Sequence, residues 1–341
     1  MKKLAAVVAL AVTATLGCAA EEVPEEEAVA GEDAFTARPS RHAIVLAHGF
    51  NGSTTNTWSF YKVADRLTAD GHVVHAAEVS PYKSVPVRAG ELAGHVDAAI
   101  AKCRARPGCD ASKVHIVAHS MGGLDSRYLI SKLGYGNRVA SLTTISSPHR
   151  GTRIADVLLK VVTDDFNGAI SAAASAWART FTERELAGDS DLRGALLSIS
   201  EKYTKETFNE EIRDDARVTY LSYAGVSNFA SIPNYKDREA CDGLFNPRLG
   251  VRDLMNAQLV PSAPFVAHGA QLRPNDGLVT VESAKWGKFM GCIPADHLDE
   301  VGQPRHDRPN FLTGFDHLDF YRKLASKLDD EVAERAAAGN R

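Results

Sequence analysis

From His42 onward the apolar residues fall into short continuous runs separated by longer amphipathic stretches. His42–Ala47 (HAIVLA), His72–Val79, Val114–Ala118 and Val139–Ile145 are the runs, and each has the length of a buried strand. Between them, Trp58–Thr68 places Phe60, Val63, Ala64 and Leu67 on one helical face and ends at Asp70-Gly71. Arg88–Cys103 and Met121–Leu133 read as the next two helices, Arg217–Ala224 as a later strand, and Asp316–Leu328 as a closing helix. Repeated strand–helix–strand units with near-continuous apolar strands predict an α/β fold, a mostly parallel sheet with helices on both faces. The rhythm breaks after Ser146–Gly151. Residues 151–216 carry helical patterns and no strand, and within them Ile170, Ala174, Trp177 and Phe181 form one apolar stripe. An insertion at the active edge of a sheet is where lids are found, so this stripe is a lid candidate, with core packing as the alternative.

The N-terminus follows different rules. Lys2 and Lys3 precede the apolar run Leu4–Leu16, too short to span a bilayer comfortably but suited to a signal peptide. Thr15-Leu16-Gly17-Cys18 resembles a bacterial lipoprotein box with Cys18 as the lipidated residue, although that box prefers Leu where Thr15 stands. Simple secretion with cleavage after Ala20 is the alternative, and both export the protein. Residues 1–18 are thus expected to be a signal and 19–40 an acidic, disordered tether, leaving 41–335 as one catalytic domain. The net charge of −4 sits mostly in residues 1–33, and the near-neutral remainder gives no case for a nucleic-acid partner. Without Cys18, four cysteines remain, an even number suited to an oxidising compartment. Three pairings are open, with Cys103–Cys109 and Cys241–Cys292 favoured. No C-x-x-C pair and no H-E-x-x-H supports zinc.

The chemistry centres on Lys113–Ser131. A strand, then Ala118-His119-Ser120-Met121-Gly122, then a helix is close to the G-x-S-x-G nucleophile elbow, with Ala in place of the first Gly. Such a turn holds a weakly nucleophilic serine clear of the surface, beside a base and near the free N–H groups of a helix start. The expected partners follow in the order acid, then histidine. Asp276 lies in Arg273–Val279 and His297 in Ala295–Gln303, both polar loops. His317 is the rival base but sits in a helical pattern. Phe50, after Gly49 in the loop beyond the first strand, and Met121 are the expected oxyanion N–H donors.

Leu46-Ala-His-Gly-Phe50, Ala118–Tyr128, Thr143–Gly151, Phe208-Asn209, Asn275–Val279 and His297–Gln303, taken in order, resemble the bacterial true lipases of the Pseudomonas and Burkholderia type. The resemblance implies an α/β-hydrolase fold and a triad of Ser120, Asp276 and His297. It also implies a structural calcium ion held by Asp253, Asp299 and the backbone carbonyls of Gln303 and Asp307. No organic cofactor is implied; some relatives require a folding chaperone. The chain departs from the family at Ala118, at Gly302, and at Glu282, where the family's second disulfide cysteine falls, so a Cys241–Cys292 pairing is not inherited. The expected activity is hydrolysis of lipid carboxylic esters, above all triacylglycerols, at a lipid–water interface. A phospholipase A or short-chain esterase keeps the triad and changes the substrate, and a non-catalytic lipid-binding surface lipoprotein is the reading from another class.

Overall fold

The computed structural model describes residues 37–52, 59–163 and 191–339. The signal segment with Cys18 and the stripe of Ile170, Ala174, Trp177 and Phe181 lie outside the described residues. Six parallel strands form the sheet: β1 (Ala43–Ala47), β2 (Val74–Ala77), β3 (Val114–His119), β4 (Val139–Ile145), β5 (Thr219–Gly225) and β6 (Lys288–Ile293). Their order across the sheet is β2-β1-β3-β4-β5-β6.

The strands read as continuous apolar runs because both faces are covered. Along β1, Ala43, Val45 and Ala47 join one cluster while Ile44 and Leu46 join another, the two-residue alternation of a strand. The first face is covered by α2 (Val85–Arg104) and α3 (Gly122–Ser131), whose Leu92, Val96 and Leu129 pack with Val45, Ile116 and Leu142. The second is covered by α1 (Val63–Ala69) and α6 (His317–Gly339), through Leu67, Tyr321 and Leu328 against Ile44 and Val117. A third cluster, including Met121, Leu196, Phe208, Leu278 and Leu298, is assembled from residues that follow the strands. Between β4 and β5 the described residues hold α4 (Arg153–Thr163), α5 (Leu192–Ser198) and helical turns through Glu201–Glu211.

Several boundaries move for local reasons. Helix α1 starts only at Val63, because Lys62 takes a left-handed φ of 57° that ends helical hydrogen bonding on its N-terminal side. Helix α6 runs to Gly339, past Leu328 where its apolar pattern stops. Strand β6 was not expected from the pattern: KFMGCI is a short edge strand with only Gly291 and Ile293 buried, and its apolar residues are interrupted by Gly291 at a positive φ of 119°. The pairing left open by the sequence is settled as Cys103–Cys109 and Cys241–Cys292, with Cα–Cα separations of 5.4 and 5.5 Å. The second bond ties the Asp237–Ala240 turn to β6, where Cys292 N–H also donates to Leu244 O at 2.8 Å. No helix among the described residues is long and apolar enough to cross a membrane.

Candidate active site

At the end of β3 the chain turns sharply into α3, and Ser120 sits in the turn with φ of 55°, a left-handed conformation that costs energy for a side-chain-bearing residue. Ser120 N–H donates to Ile145 O at 3.0 Å, and Gly123 N–H donates back to Ser120 O at 3.1 Å. Two glycines make the turn fit. A Cβ on Gly49 would stand 2.5 Å from Ser120 Cβ, and one on Gly122 would stand 2.4 Å from Ala47 O. Ala118, the departure from the elbow pattern, lies within β3 and its methyl packs into the face under α2 and α3, so a side chain is accommodated there.

His297 stands in the loop beyond β6, its ring Nδ1 2.7 Å from Asp276 Oδ2. The backbones lock the pair as well, since His297 N–H donates to Asp276 O at 3.0 Å. The other carboxylate oxygen of Asp276 accepts from Leu278 and Val279 N–H at 2.8 and 2.7 Å. Both side chains are buried. An acceptor at Nδ1 holds the proton there and leaves Nε2 as the basic nitrogen. Ser120 and His297 line one narrow pocket with Phe50, Leu278 and Leu298. His317 is elsewhere, with Nε2 3.0 Å from Tyr61 O and its ring under Gly302.

The loop after β1 is braced from two sides. Arg88, fully buried, donates to His48 O at 2.9 Å, to Ser80 O at 2.7 Å and to Asp125 Oδ2 at 2.8 Å. Asn51, at a left-handed φ of 60°, accepts from the Tyr82 hydroxyl, and the Phe50 ring meets Tyr82 edge-on at 5.3 Å. Phe50 and Met121, the two expected N–H donors, are both buried beside Ser120.

The sequence reading missed the layer beneath. Glu300 is fully buried, three residues after His297, and accepts from the Ser146 hydroxyl at 2.6 Å while lying 3.0 Å from His119 Nε2. Burial, reinforced by the Asp276 charge, pushes the Glu300 carboxyl well above its ordinary range. Burial first, then the neighbouring His297 ring at 4.5 Å, drives His119 well below the ordinary imidazole range. Glu300 as a neutral acid and His119 as a neutral ring is therefore the state this packing favours. The only sequence signal was position, with Glu300 inside His297–Gln303 and His119 beside Ser120.

A second acidic group lies on the other side of the same loop. Asp253, Asp296 and Asp299 bring carboxylate oxygens within 4.8 Å of one another. Burial, then the charge of Asp299, pushes Asp253 up to about 7, and burial with both neighbours drives Asp296 well above the usual range. Converging oxygen donors that repel one another fit a hard cation such as calcium. Asp253 and Asp299 were expected here; Asp296 was not. The side chains of the other two expected contributors point away. Gln303 donates to Ser59 O at 2.9 Å and Asp307 pairs with Lys62 at 2.5 Å, so any part they play rests with their backbone carbonyls.

Comparisons with known proteins complete the description. Residues 42–220 match the alpha/beta hydrolase fold family. The chain is 34% identical over 305 residues to a triacylglycerol lipase of Vibrio cholerae, covering 85% of this chain and 88% of that one. It is 29% identical over 332 residues to a triacylglycerol lipase of Burkholderia plantarii, covering 86% and 88%. Among solved structures, Staphylococcus hyicus lipase superposes with a TM-score of 0.56 at 19% identity, over 89% of this chain and 98% of that one. That likeness speaks to the fold.

Proposed function

The chain belongs to the α/β-hydrolase family of lipases, and from that premise we propose that it is a triacylglycerol lipase working through a Ser120–His297–Asp276 triad and an acyl-enzyme. The observation that carries the reading is the 2.7 Å contact between buried His297 and Asp276, facing a pocket that Ser120 enters from a strained turn. His297 Nε2 takes the Ser120 hydroxyl proton as the oxygen attacks the ester carbonyl. The N–H groups of Phe50 and Met121 hold the resulting oxyanion, in a setting where Arg88 and Tyr82 fix the loop. Collapse breaks the ester C–O bond, and His297 gives its proton to the departing alcohol. Water then attacks the acyl-serine with the same base, releasing a fatty acid and restoring Ser120. Asp276 holds the ring orientation and stabilises its charged form in each half.

Asp253, Asp296 and Asp299 would hold a calcium ion, with the carbonyls of Gln303 and Asp307 as further donors. When bound, the ion supplies positive charge that pins the loop carrying His297. The N-terminal signal pattern supports an exported enzyme, whether secreted or anchored at Cys18. Labelling by a fluorophosphonate, lost in Ser120→Ala, tests the nucleophile. Chain-length profiling on p-nitrophenyl esters and on emulsified triglyceride tests the substrate: activity confined to short soluble esters makes it an esterase instead. An unlabelled wild type would leave only the lipid-binding lipoprotein.

A further inference from the structure

The described residues include twelve large apolar side chains that stand well exposed, and eight of them fall between Phe229 and Leu272. This stretch leaves the carboxyl end of β5 and returns toward the loop of Asp276. Five of the eight, Phe229, Ile232, Tyr235, Val260 and Leu272, line one open groove of about 740 Å³. The tips stand far out of the protein: Tyr235 is 84% exposed, Phe229 72% and Ile232 63%. Scattered apolar residues on a surface are ordinary, but a contiguous cluster is the mark of a docking surface.

Two features identify the occupant. First, the groove offers no net charge to an ionic partner. Its two charged lining residues are already neutralised, Arg252 against Asp237 in burial and Arg273 against Glu282 at 3.3 Å. An acidic peptide or an anionic headgroup would have to compete with these carboxylates for the two arginines, whereas aliphatic chains match the rest of the lining. Second, the groove and the catalytic pocket share a wall. Met255 lines the groove and, with Leu259, packs against Gly277, whose neighbours Leu278 and Val279 line the pocket that holds Ser120 and His297. Both openings lie beyond the carboxyl ends of the strands, where α/β sheets receive their ligands.

We propose that the groove between Phe229 and Leu272 is a lipid-docking surface that inserts its apolar tips among the acyl chains of an uncharged lipid aggregate and so holds the catalytic end of the sheet at that surface. The proposal rests on the lipid-ester reading of the active site. It concerns residues separate from the stripe of Ile170 to Phe181. Partition onto vesicles of diether phosphatidylcholine, which has no carboxylic ester to cleave, measures docking apart from turnover. In full-length protein, Phe229→Ser with Ile232→Ser and Tyr235→Ser should weaken partition by at least about tenfold. Turnover of p-nitrophenyl acetate should stay unchanged, which also reports that the variant is folded. Phe229→Ser alone should give a smaller loss in the same direction. Equal partition of variant and wild type would overturn the proposal, as would a wild-type dimer that the triple variant converts to monomer, which assigns the groove to a second copy. A wild type that fluorophosphonate leaves unlabelled, yet whose partition falls in the triple variant, sinks the lipase reading and leaves the docking surface standing.

Discussion

Two clusters of carboxylates flank His297, and they are settled by opposite means. On one side Asp276 and Glu300 are buried together. Asp276 is met by two backbone N–H groups and the His297 ring, and Glu300 by the Ser146 hydroxyl and His119. Burial, with the neighbouring Asp276, raises the Glu300 carboxyl well above its ordinary range. On the other side Asp253, Asp296 and Asp299 converge, and among the described residues the basic side chain that meets them is His306, 3.0 Å from Asp299. Three acids at such range cannot share their charge with one half-exposed imidazole. The first cluster finds its partners in protein atoms, and the proposed triad draws on it. The second gathers acids alone, and in the proposed reading a cation completes it. A single five-residue stretch, Asp296–Glu300, supplies acids to both and carries His297 between them.

The largest effect should fall on the chemical side. Ser120→Ala should lower kcat by about 10⁴-fold or more with its melting temperature unchanged, and His297→Ala should match it. His317→Ala should keep most of its kcat; if it instead proves the essential histidine, the contrast between the clusters is drawn around the wrong base. Asp276→Asn comes next. It keeps the shape but presents the wrong hydrogen-bonding partner to Nδ1, and a loss near 10⁴ in kcat with little change in KM is expected.

The acidic side should respond in stability first. A ligand bound only by the folded state adds about 2.7 kcal/mol at a hundredfold excess over its Kd, so chelation should lower the melting temperature by several degrees, with activity following. Asp299→Ala should copy the loss and erase the response to calcium. A melting curve indifferent to both chelator and added calcium would remove the ion from this account.

Glu300→Gln should have the smallest effect, because an amide resembles the neutral acid already favoured there. A few-fold change in kcat/KM at neutral pH is expected. The pH dependence sharpens the point. A carboxyl whose pKa is higher in the folded state than in the unfolded chain stabilises the fold while protonated. That stability is lost as pH rises from the ordinary carboxylate range through the raised folded value. Gln cannot lose a proton, so melting temperatures of variant and wild type should diverge in the variant's favour as pH rises. Parallel curves would mean that Glu300 is charged in the native state and paired as an ion with His119.

Much of this protein was legible from residue order. Continuous apolar runs bounded by Gly, Pro and polar turns specify buried parallel strands whatever surrounds them, which is why β1, β3 and β4 were readable nearly to the residue. The elbow motif is legible in residues 118–122, but the need for glycine at 49 and 122 is tertiary, arising where the loop after β1 meets the turn after β3. What the sequence could not rank is proximity. Strand β6 is a short run broken by Gly291, an edge held by Cys241–Cys292 and by pairing with β5. His119, Ser146, Asp276 and Glu300 come from four separate elements, and only packing makes them neighbours. The same is true of Asp296, which reads as an ordinary loop acid until Asp253 is brought beside it across 43 residues of chain. The exposed tips from Phe229 to Leu272 look in sequence like core residues. Hydrophobicity alone says that a side chain favours leaving water; which of them succeed is decided by what the fold places against them.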